Sequence, residues 1–574
     1  MDQISEKVKM ISDRIKILRK KINSLNIDGY VIPKNDEFFS EYTTNDRLKT
    51  ISNFSGSAGY AVILKHKNYL FVDGRYTIQA KIEAGDNFII KNFNELLNCK
   101  IFKNVTLGID PKIFTINEIN KFFFKYNKIE IIKNNLIDKI HKKSSNYIKP
   151  FYSLKESVVG ESHLKKITRV SNILKKEKVD YLFISASENI AWLLNIRGHD
   201  NPNSPIPNCR LLLTKKRKIF IICENQKLNK LIKEKKIKNN QIIEPQRLKD
   251  FFSKIKTGKF IIDSKTCSIF YRNFINSKHK IVKKNDPIYI LKSIKNKNEI
   301  SNIINTHIDD GVALTKFLHW IKVSNKKKIT EVDAQNKLEK YRKKNKKYLF
   351  PSFNTIAGSG ANGAIIHYRA TKKNTKKINK KDLFLCDSGG QYKYGTTDVT
   401  RTICFSKPSK RIKKVFTLVL KGHIAIVTND FNKNNKGYQL DIKARKFLKE
   451  EGYDFKHGTG HGVGFFSNVH EGPQSISKYN KIKLVEGMIL SNEPGYYEER
   501  KFGIRIENLI FIKKYNKKLF FENLTLAPID KDLIEYELLT KKEKDYIFRY
   551  HLTVYKKLSN FLNYKEKKWL INHL

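Results

Sequence analysis

The segment HGTGHGVGFFSNVHEG, residues 457–472, concentrates side chains that can do chemistry. It has three histidines and five glycines in sixteen positions, although the whole chain of 574 residues contains only 14 histidines. Imidazoles bind metal ions and transfer protons near neutral pH, and glycines let one backbone approach another closely. The segment has too much glycine for a helix. It is therefore either a tightly packed loop or a place where imidazoles contact a ligand.

Four carboxylates lie in or beside apolar runs, where an unpaired charge is costly. Asp387 follows the run LFLC, and Asp398 begins a second run eleven residues later, which fits a hairpin that brings both side chains together. Glu493 in SNEPGYY and Glu507 in RIENLIFI are fourteen residues apart and could form a second pair of this kind.

Four carboxylates in one place would raise one another's pKa values unless positive charge compensates them. Two divalent cations supply four positive charges and can activate a hydroxide nucleophile near neutral pH. One histidine would complete such a site, and a set of carboxylates and imidazole without thiolate favours Mn²⁺, Co²⁺ or Fe²⁺ over a structural zinc. The remaining histidines would donate hydrogen bonds to a developing oxyanion. Spacing alone thus indicates a dinuclear hydrolase, although each of these residues taken singly is more often a turn or salt-bridge residue.

Two N-terminal segments resemble each other and indicate a repeated domain. Residues 14–33 and 169–185 each combine helical apolar spacing with a short strand-like run, and similar strands follow at 107–112 and 260–265. The same helix and strand patterns thus recur in both segments with a similar number of residues between them. This recurrence predicts two related α/β domains, joined by a polar linker around 141–160.

A third unit follows from about residue 286. Its first element is a predicted long amphipathic helix with one apolar face, composed of Ile300, Ile304, Ile308, Val312, Leu314, Leu318 and Ile321. Thr330 with Asp333 predicts a capping box for the next helix, and Thr540 with Glu543 predicts another in the tail. After residue 350, apolar runs separated by glycines indicate β-strands. The stretch AGSGANGA at 357–364 predicts a turn, because no GK[ST] follows it.

The composition predicts a soluble, cytoplasmic protein of two to four domains. Hydrophobic residues make up 40% of the chain, no apolar run reaches the roughly 20 residues that a membrane span needs, and the first residues have no secretory apolar core. The six cysteines show no metal-ligand spacing and suit reduced thiols. The net charge of +57 could attract nucleic acid. Lysine is spread along the whole chain beside isoleucine and asparagine, however, so a compositional bias explains it better.

Several longer strings resemble the pita-bread metallopeptidases, and most closely the Xaa-Pro aminopeptidases. They are GAIIHY, DSGGQYKYGTTDVTRT, HGTGHGVGFFSNVHEGP, NEPGYYE and FGIRIEN, and they occur in the order and spacing of that family. The match extends to FSGSAGYAVI and FVDGRYTIQA in the first unit, ENIAWLLNIRGHD in the second and LTLAPID in the tail. The resemblance implies an α/β (α+β) protein with two creatinase-like domains at 1–150 and 151–290. A pita-bread catalytic domain at 291–513 and a C-terminal extension at 514–574 would follow.

The resemblance also implies a role for each matching residue. Asp387 would bind one metal ion, His461 and Glu493 the other, and Asp398 and Glu507 would bridge the two. His367 and His470 would face the substrate, His457 would line the same pocket, and Glu493 would also carry a proton. Arg505 would orient the carboxylate ligands.

The implied activity is hydrolysis of the N-terminal Xaa-Pro bond of short peptides by a metal-activated hydroxide. The implied cofactors are two divalent ions, most often Mn²⁺, with Co²⁺, Fe²⁺ or Zn²⁺ as alternatives. A homodimer is implied, and neither a specific nucleic acid nor a membrane is expected as a partner. Two other functions stay open: a prolidase that cleaves only Xaa-Pro dipeptides, and a pita-bread binding module that has lost catalysis. The five expected ligands argue against the second.

Overall fold

A computed structural model describes residues 2–97, 101–140, 148–324 and 328–574 of the chain. The chain divides into two compact units. One contains residues 1–156 and 161–288, and the other contains residues 289–574 together with the short segment 157–160. The predicted linker around 141–160 lies partly outside the described residues, since 141–147 are not among them, and so does Cys99.

The first domain is a six-stranded sheet flanked by helices. The spatial order of its strands, numbered by their position along the chain within this domain, is 4-3-2-1-5-6. The first strand pairs antiparallel with the second and parallel with the fifth. In chain order the strands are Gly29–Pro33, Gly59–Leu64, Asn68–Val72, Ile89–Asn92, Thr106–Ile109 and Lys128–Ile131, and the helices are Asp2–Ser24, Arg47–Ser52, Thr77–Ala84, Phe93–Leu97 and Ile116–Phe122.

The second domain repeats this architecture. Counting its six sheet strands from its own first strand, their spatial order is again 4-3-2-1-5-6, with the same parallel and antiparallel pairs. The prediction of two related α/β domains is confirmed. The sheet strands are Tyr181–Ile184, Arg210–Thr214, Ile219–Ile222, Ile242–Ile243, Lys259–Ile262 and Lys280–Lys283. A small ribbon pairs Tyr152–Ser153 with Ile196–Arg197, and the helices are His163–Lys176, Ser187–Leu194, Asn225–Lys233, Leu248–Lys254 and Ile269–Asn276. The short helices Glu156–Val159 and Ile288–Ser293 belong almost entirely to the second unit.

The second unit consists of antiparallel sheets covered by helices. Its helices are Lys297–Val323, Glu331–Arg342, Lys410–Val427, Gly437–Lys449, Lys541–Leu558 and Tyr564–Ile571. Its strands are Tyr348–Pro351, Ile356–Ser359, Phe384–Ser388, Gly390–Tyr392, Gly395–Thr396, Val399–Ile403, Gly460–Gly462, Glu471–Ile476, Ile489–Asn492, Gly495–Glu498, Phe502–Arg505, Asn508–Tyr515 and Lys518–Asn523.

Two helix pairs each pack on one sheet of this unit. Helices Lys297–Val323 and Glu331–Arg342 bury apolar side chains against the sheet that contains Phe384–Ser388. Helices Lys410–Val427 and Gly437–Lys449 do the same against the sheet that contains Ile489–Asn492. The apolar burial holds the strand ends of both sheets in place, and the predicted carboxylates lie at these strand ends.

The buried face of the long helix differs from the predicted one. Leu314, Leu318 and Ile321 are buried as expected, whereas Ile300, Ile304, Ile308 and Val312 are only partly buried. In the first half of the helix, polar side chains are buried in their place. Asp310 can be buried there because Nε of Arg342 lies 2.8 Å from its Oδ1. Apolar spacing alone could not reveal a buried ion pair.

Both predicted capping boxes are confirmed, and the predicted turn is confirmed for its second half. Both capping boxes, Thr330 with Asp333 and Thr540 with Glu543, are formed. The stretch 357–364 is the end of the strand Ile356–Ser359 and a 3₁₀ turn. Five cysteines are free and buried.

Among the described residues, no helix combines the length and the apolar character that crossing a membrane requires.

Candidate metal centre

Asp387 and Asp398 come from neighbouring strands, as the hairpin prediction requires. Asp387 lies in the strand Phe384–Ser388, which pairs antiparallel with Val399–Ile403, and it is opposite Thr400 in the register. Asp398 directly precedes the second strand. Both side chains are buried, so the pairing brings two carboxylates together in the interior of the unit.

Glu493 and Glu507 flank a second strand pair. Ile489–Asn492 pairs antiparallel with Asn508–Tyr515, and Asn492 is opposite Asn508. Glu493 follows the first strand and Glu507 precedes the second, so the two glutamates are at the same end of the pair. Glu507 is almost completely buried.

His461 joins the carboxylates from the strand Gly460–Gly462. Its Nε2 is 3.4 Å from Oδ2 of Asp398 and 3.4 Å from Oε1 of Glu493. Its Nδ1 is 2.9 Å from the carbonyl oxygen of Gly462, so Nε2 is the nitrogen that faces the carboxylates. One donor atom each of Asp398, His461 and Glu507 lies within 4.8 Å of the others.

The glycines around His461 permit this arrangement. A Cβ atom on Gly460 would lie 2.0 Å from the carbonyl oxygen of Ser491 on the adjoining strand. Only glycine allows such an approach, because any side chain would separate the two strands. Both interpretations of the histidine-rich segment therefore hold: its glycines serve close backbone packing, and one of its imidazoles faces a cluster of carboxylates.

Burial and mutual repulsion disfavour the ionised form of these carboxyl groups, and bound cations would offset both effects. Burial raises the pKa of Asp387 to about 7, with further contributions from the negative charges of Asp398 and Glu493. Burial also raises the pKa of Glu493, and it raises that of Glu507 well above its usual range, where neighbouring carboxylates add to the effect. Burial disfavours the charged form of His461, but the hydrogen bond to Asp398 and the charge of Glu493 outweigh it and raise the pKa to about 9.

One carboxylate oxygen of the cluster lacks a protein partner. Oδ1 of Asp387 is buried without a hydrogen-bond partner among the described residues, whereas Oδ2 accepts from Arg505. A buried acceptor that remains unsatisfied is costly, and a bound cation would satisfy it. Three buried carboxylates, the partly buried carboxylate of Glu493 and one imidazole, with no thiolate in the set, are a donor set that fits two divalent ions.

Hydrogen bonds from neighbouring side chains fix these groups. Oγ1 of Thr400 donates to Oε2 of Glu507 at 2.7 Å, and Oγ of Ser491 donates to Oε1 of Glu493 at 3.0 Å. Nε of Arg505 donates to Oγ1 of Thr400 at 3.0 Å, and Nη1 donates to the hydroxyl of Tyr497 at 2.6 Å. Of these supporting residues, the sequence indicated only Arg505. Tyr497 lies within the quoted motif NEPGYYE, so its position was visible but its partner was not.

The other three predicted histidines lie at different places in this unit. The ring of His470 is 4.2 Å from that of His461 between centroids, with planes at 67°, and its side chain is exposed. Nε2 of His457 is 3.0 Å from the hydroxyl of Tyr497, which places it beside Arg505. His367 is half-buried on the segment after the turn Gly360–Ala364.

Four family models match the chain and define its class. Metallopeptidase family M24 matches residues 303–514, and the C-terminal region of peptidase M24 matches 517–574. Two models of the creatinase/prolidase N-terminal domain match residues 14–131 and 142–299. Together with the carboxylate cluster, they describe an M24 metallopeptidase with two creatinase-like domains, and the predicted α/β (α+β) fold with a pita-bread domain is confirmed.

Relatives that match nearly the whole chain identify the group within this class to which the chain is most similar. The probable Xaa-Pro aminopeptidase P of Pyrenophora teres f. teres is 35% identical, covering 96% of this chain and 90% of that protein. The one from Coprinopsis cinerea is 34% identical, covering 97% of both chains. The X-prolyl aminopeptidase of Caenorhabditis elegans, described as a cytosolic enzyme with a di-nuclear active site, has a TM-score of 0.89 and 28% identity, covering 98% of this chain and 99% of its own. Prolidase from Pyrococcus furiosus covers only 62% of this chain, with a TM-score of 0.50.

The chain therefore belongs to metallopeptidase family M24, in the group of the Xaa-Pro aminopeptidases P. It is a metal-dependent exopeptidase with a site for two divalent ions, as predicted.

Proposed function

We propose that this chain removes the first residue of short peptides whose second residue is proline. One observation carries the proposal: donor atoms of Asp398, His461 and Glu507 converge within 4.8 Å, and this cluster lies in a chain that is similar along its whole length to Xaa-Pro aminopeptidases P. A binding module without catalysis would not need to retain such a cluster.

The ligand roles follow the family motifs. Asp387 would hold one ion, His461 and Glu493 the second, and Asp398 and Glu507 both. The short distances from His461 to Asp398 and Glu493 and the unpartnered Oδ1 of Asp387 support this distribution. When bound, the two ions supply activation of a water nucleophile and polarisation of the scissile carbonyl group.

The other residues would act on the substrate and on protons. Glu493 accepts a proton from the attacking water and delivers it to the leaving imide nitrogen, and its hydrogen bond from Ser491 keeps Oε1 in position. His470, exposed beside His461, donates a hydrogen bond to the developing charge on the carbonyl oxygen. His367 contacts the proline side of the substrate. His457, held by Tyr497, lines the same pocket.

The chemistry explains why a specialised site is needed. An Xaa-Pro bond has no N–H on its proline side and a fixed φ, so a site that binds an extended backbone through ladder hydrogen bonds fits it poorly. Cleavage requires a polarised carbonyl group and a protonated leaving nitrogen, which the carboxylates, the imidazoles and the metal ions together provide.

The identity of the metal, the cellular location, the oligomeric state and the domain limits are also proposals. Mn²⁺ is the expected metal, because the ligand set contains oxygen and imidazole donors without thiolate. A cytoplasmic location is supported by the five free cysteines and by the cytosolic Caenorhabditis elegans relative. A homodimer is supported by exposed Phe548, Phe561 and Tyr564 on the C-terminal segment, and light scattering would test it. The domain limits 1–150, 151–290, 291–513 and 514–574 are supported by the similar positions of the family matches.

The testing experiment measures release of the first residue from a tripeptide Xaa-Pro-Yaa. Metal-stripped protein is assayed with and without added Mn²⁺, beside Asp398→Asn. We expect release that depends on metal and is lost in the variant. Cleavage of Xaa-Pro dipeptides only would instead identify a prolidase. A protein that binds Mn²⁺ and leaves both peptides intact would contradict the proposal.

A further inference from the structure

A fully buried carboxylate outside the metal centre lies at the start of the helix Glu331–Arg342. The side chain of Glu331 has no solvent exposure. Its two oxygens accept hydrogen bonds from four different residues. These come from the backbone N–H of Ser359 at 2.8 Å and of Lys376 at 2.9 Å, from Nδ2 of Asn362 at 2.9 Å and from the hydroxyl of Tyr368 at 2.9 Å. A carboxylate has about four lone-pair sites, so every one is used.

The four donors all belong to one segment, residues 359–376. Nδ2 of Asn362 also donates to the hydroxyl of Tyr368 at 2.9 Å, which ties the turn Gly360–Ala364 to the chain that follows it. The backbone N–H of Glu331 donates to the carbonyl oxygen of Lys376 at 3.0 Å. Glu331 thus binds the segment at its beginning, in its middle and at its end.

His367 lies inside this segment, directly before Tyr368. The segment also packs against the metal-centre strand Phe502–Arg505, because a Cβ on Gly503 would lie 1.9 Å from the carbonyl oxygen of Gly363. Tyr368 belongs to an apolar cluster with Leu385, and Tyr497 packs against this cluster. The position of His367 relative to the carboxylate cluster therefore depends on how this segment is held.

We propose that Glu331 is a positioning residue that fixes His367 for contact with the substrate. This inference rests on the proposed peptidase function. Glu331 does not touch the metal ligands, and it acts through the backbone and the side chains of the segment 359–376. Its carboxylate form is required, because an amide nitrogen in place of either oxygen would face a backbone N–H, that of Ser359 at Oε1 or that of Lys376 at Oε2.

The test uses Glu331→Gln, with Asp333→Ala as its matched control. Asp333 lies two residues after Glu331 and forms the capping box of the same helix with Thr330. Its exposed carboxylate accepts hydrogen bonds from the backbone N–H and the hydroxyl of Thr330. Loss of the cap weakens the helix end without touching the segment 359–376. Hydrogen exchange at the amides of residues 359–376 should increase in Glu331→Gln and stay unchanged in Asp333→Ala, and this readout needs no catalysis.

Kinetics on Xaa-Pro-Yaa then distinguish positioning from general stability. We expect Glu331→Gln to lower kcat/KM at least about tenfold, since displacement of a contacting group by about 1 Å can cost a hundredfold. Asp333→Ala should stay within twofold of the wild type. Manganese stoichiometry should be the same in all three proteins. Equal losses in the two variants would overturn the proposal, because helix weakening would then explain both.

A double-variant cycle with His367→Ala is decisive. If Glu331 acts through His367, the substitution Glu331→Gln should change kcat/KM less than twofold in the His367→Ala background. Losses that multiply would show that Glu331 acts elsewhere. Should Glu331→Gln fail to fold, Tyr368→Phe replaces it in the double-variant cycle, because this substitution removes only one hydroxyl group from the hydrogen bonds around Glu331. A wild-type protein without Xaa-Pro-Yaa cleavage would refute the proposed function before any variant is compared.

Discussion

Arg505 donates a hydrogen bond to Oδ2 of Asp387 and leaves the other oxygen of that carboxylate without a partner among the described residues. The guanidinium is itself buried and also donates to Thr400 and Tyr497. These contacts hold Asp387 in one orientation. The unpartnered Oδ1 is therefore a fixed acceptor, ready for a cation.

Replacing Arg505 by lysine should weaken metal binding. A lysine cannot make the three directed contacts of the guanidinium, so Asp387 loses its fixed orientation. We expect the affinity of the metal-stripped protein for Mn²⁺ to fall about 10- to 100-fold, measured by titration calorimetry. Arg411→Lys is the matched control, because Arg411 pairs with Glu498 at the surface. Equal affinity in the wild type and Arg505→Lys would show that Arg505 does not orient Asp387.

Metal removal should lower the stability of the protein. The buried carboxylates repel one another without cations, and a ligand that binds only the folded state stabilises it by about 2.7 kcal/mol at 100 times its Kd. Melting temperatures of the stripped protein should therefore rise with added Mn²⁺. The rise should be smaller for Asp398→Asn and unchanged for Asp545→Asn, whose carboxylate pairs with Arg549 at the surface. An identical rise in Asp398→Asn would place the bound Mn²⁺ elsewhere.

Glu471, next to His470, should be important for stability. It is buried between Lys292 and Lys295, whose side chains are also buried. Glu471→Gln would leave two buried ammonium groups uncompensated, and breaking a buried ion pair in this way costs about 3–5 kcal/mol. Urea unfolding of Glu471→Gln measures this loss. For Glu498→Gln, which removes the pairs with Arg411 and Lys501 near the surface, the loss should not exceed about 1 kcal/mol. A similar small loss in both variants would contradict the prediction.

The sequence predicted the parts of this fold that follow from short-range patterns. The pairing of Asp387 with Asp398 follows from strand spacing and a turn, and the repeated domain follows from matching landmarks. The buried pair of Asp310 and Arg342 and the network of Glu331 were not predictable in this way. Their partners are tens of residues apart, and a charged residue in a sequence does not show which distant group will neutralise it. For His367 and Arg505, only resemblance to a family indicated a role.

Asp286 should make the first unit less stable as the pH rises. Its carboxyl group is buried, and burial raises its pKa to about 7 despite hydrogen bonds from Ile288 and Asn189. In the unfolded chain the pKa is about 3.9, so the folded state binds the extra proton between these values. The stabilisation is complete below about pH 4 and is lost as the pH rises through 7, which amounts to roughly 4 kcal/mol.

Asp286→Asn removes this titration and keeps the shape of the side chain. Nδ2 of Asn189 donates to Asp286, and Oδ1 of Asn189 is buried without a partner among the described residues. If the amide of Asn189 turns over, this Oδ1 can accept from the amide introduced at position 286. We expect the free energy of unfolding of Asp286→Asn, relative to the wild type, to increase between about pH 4 and pH 7 and to level off above pH 7. Urea unfolding at several pH values measures the difference, with exposed Asp250→Asn as the control. A difference that does not change with pH would mean that Asp286 is ionised in the folded protein throughout this range.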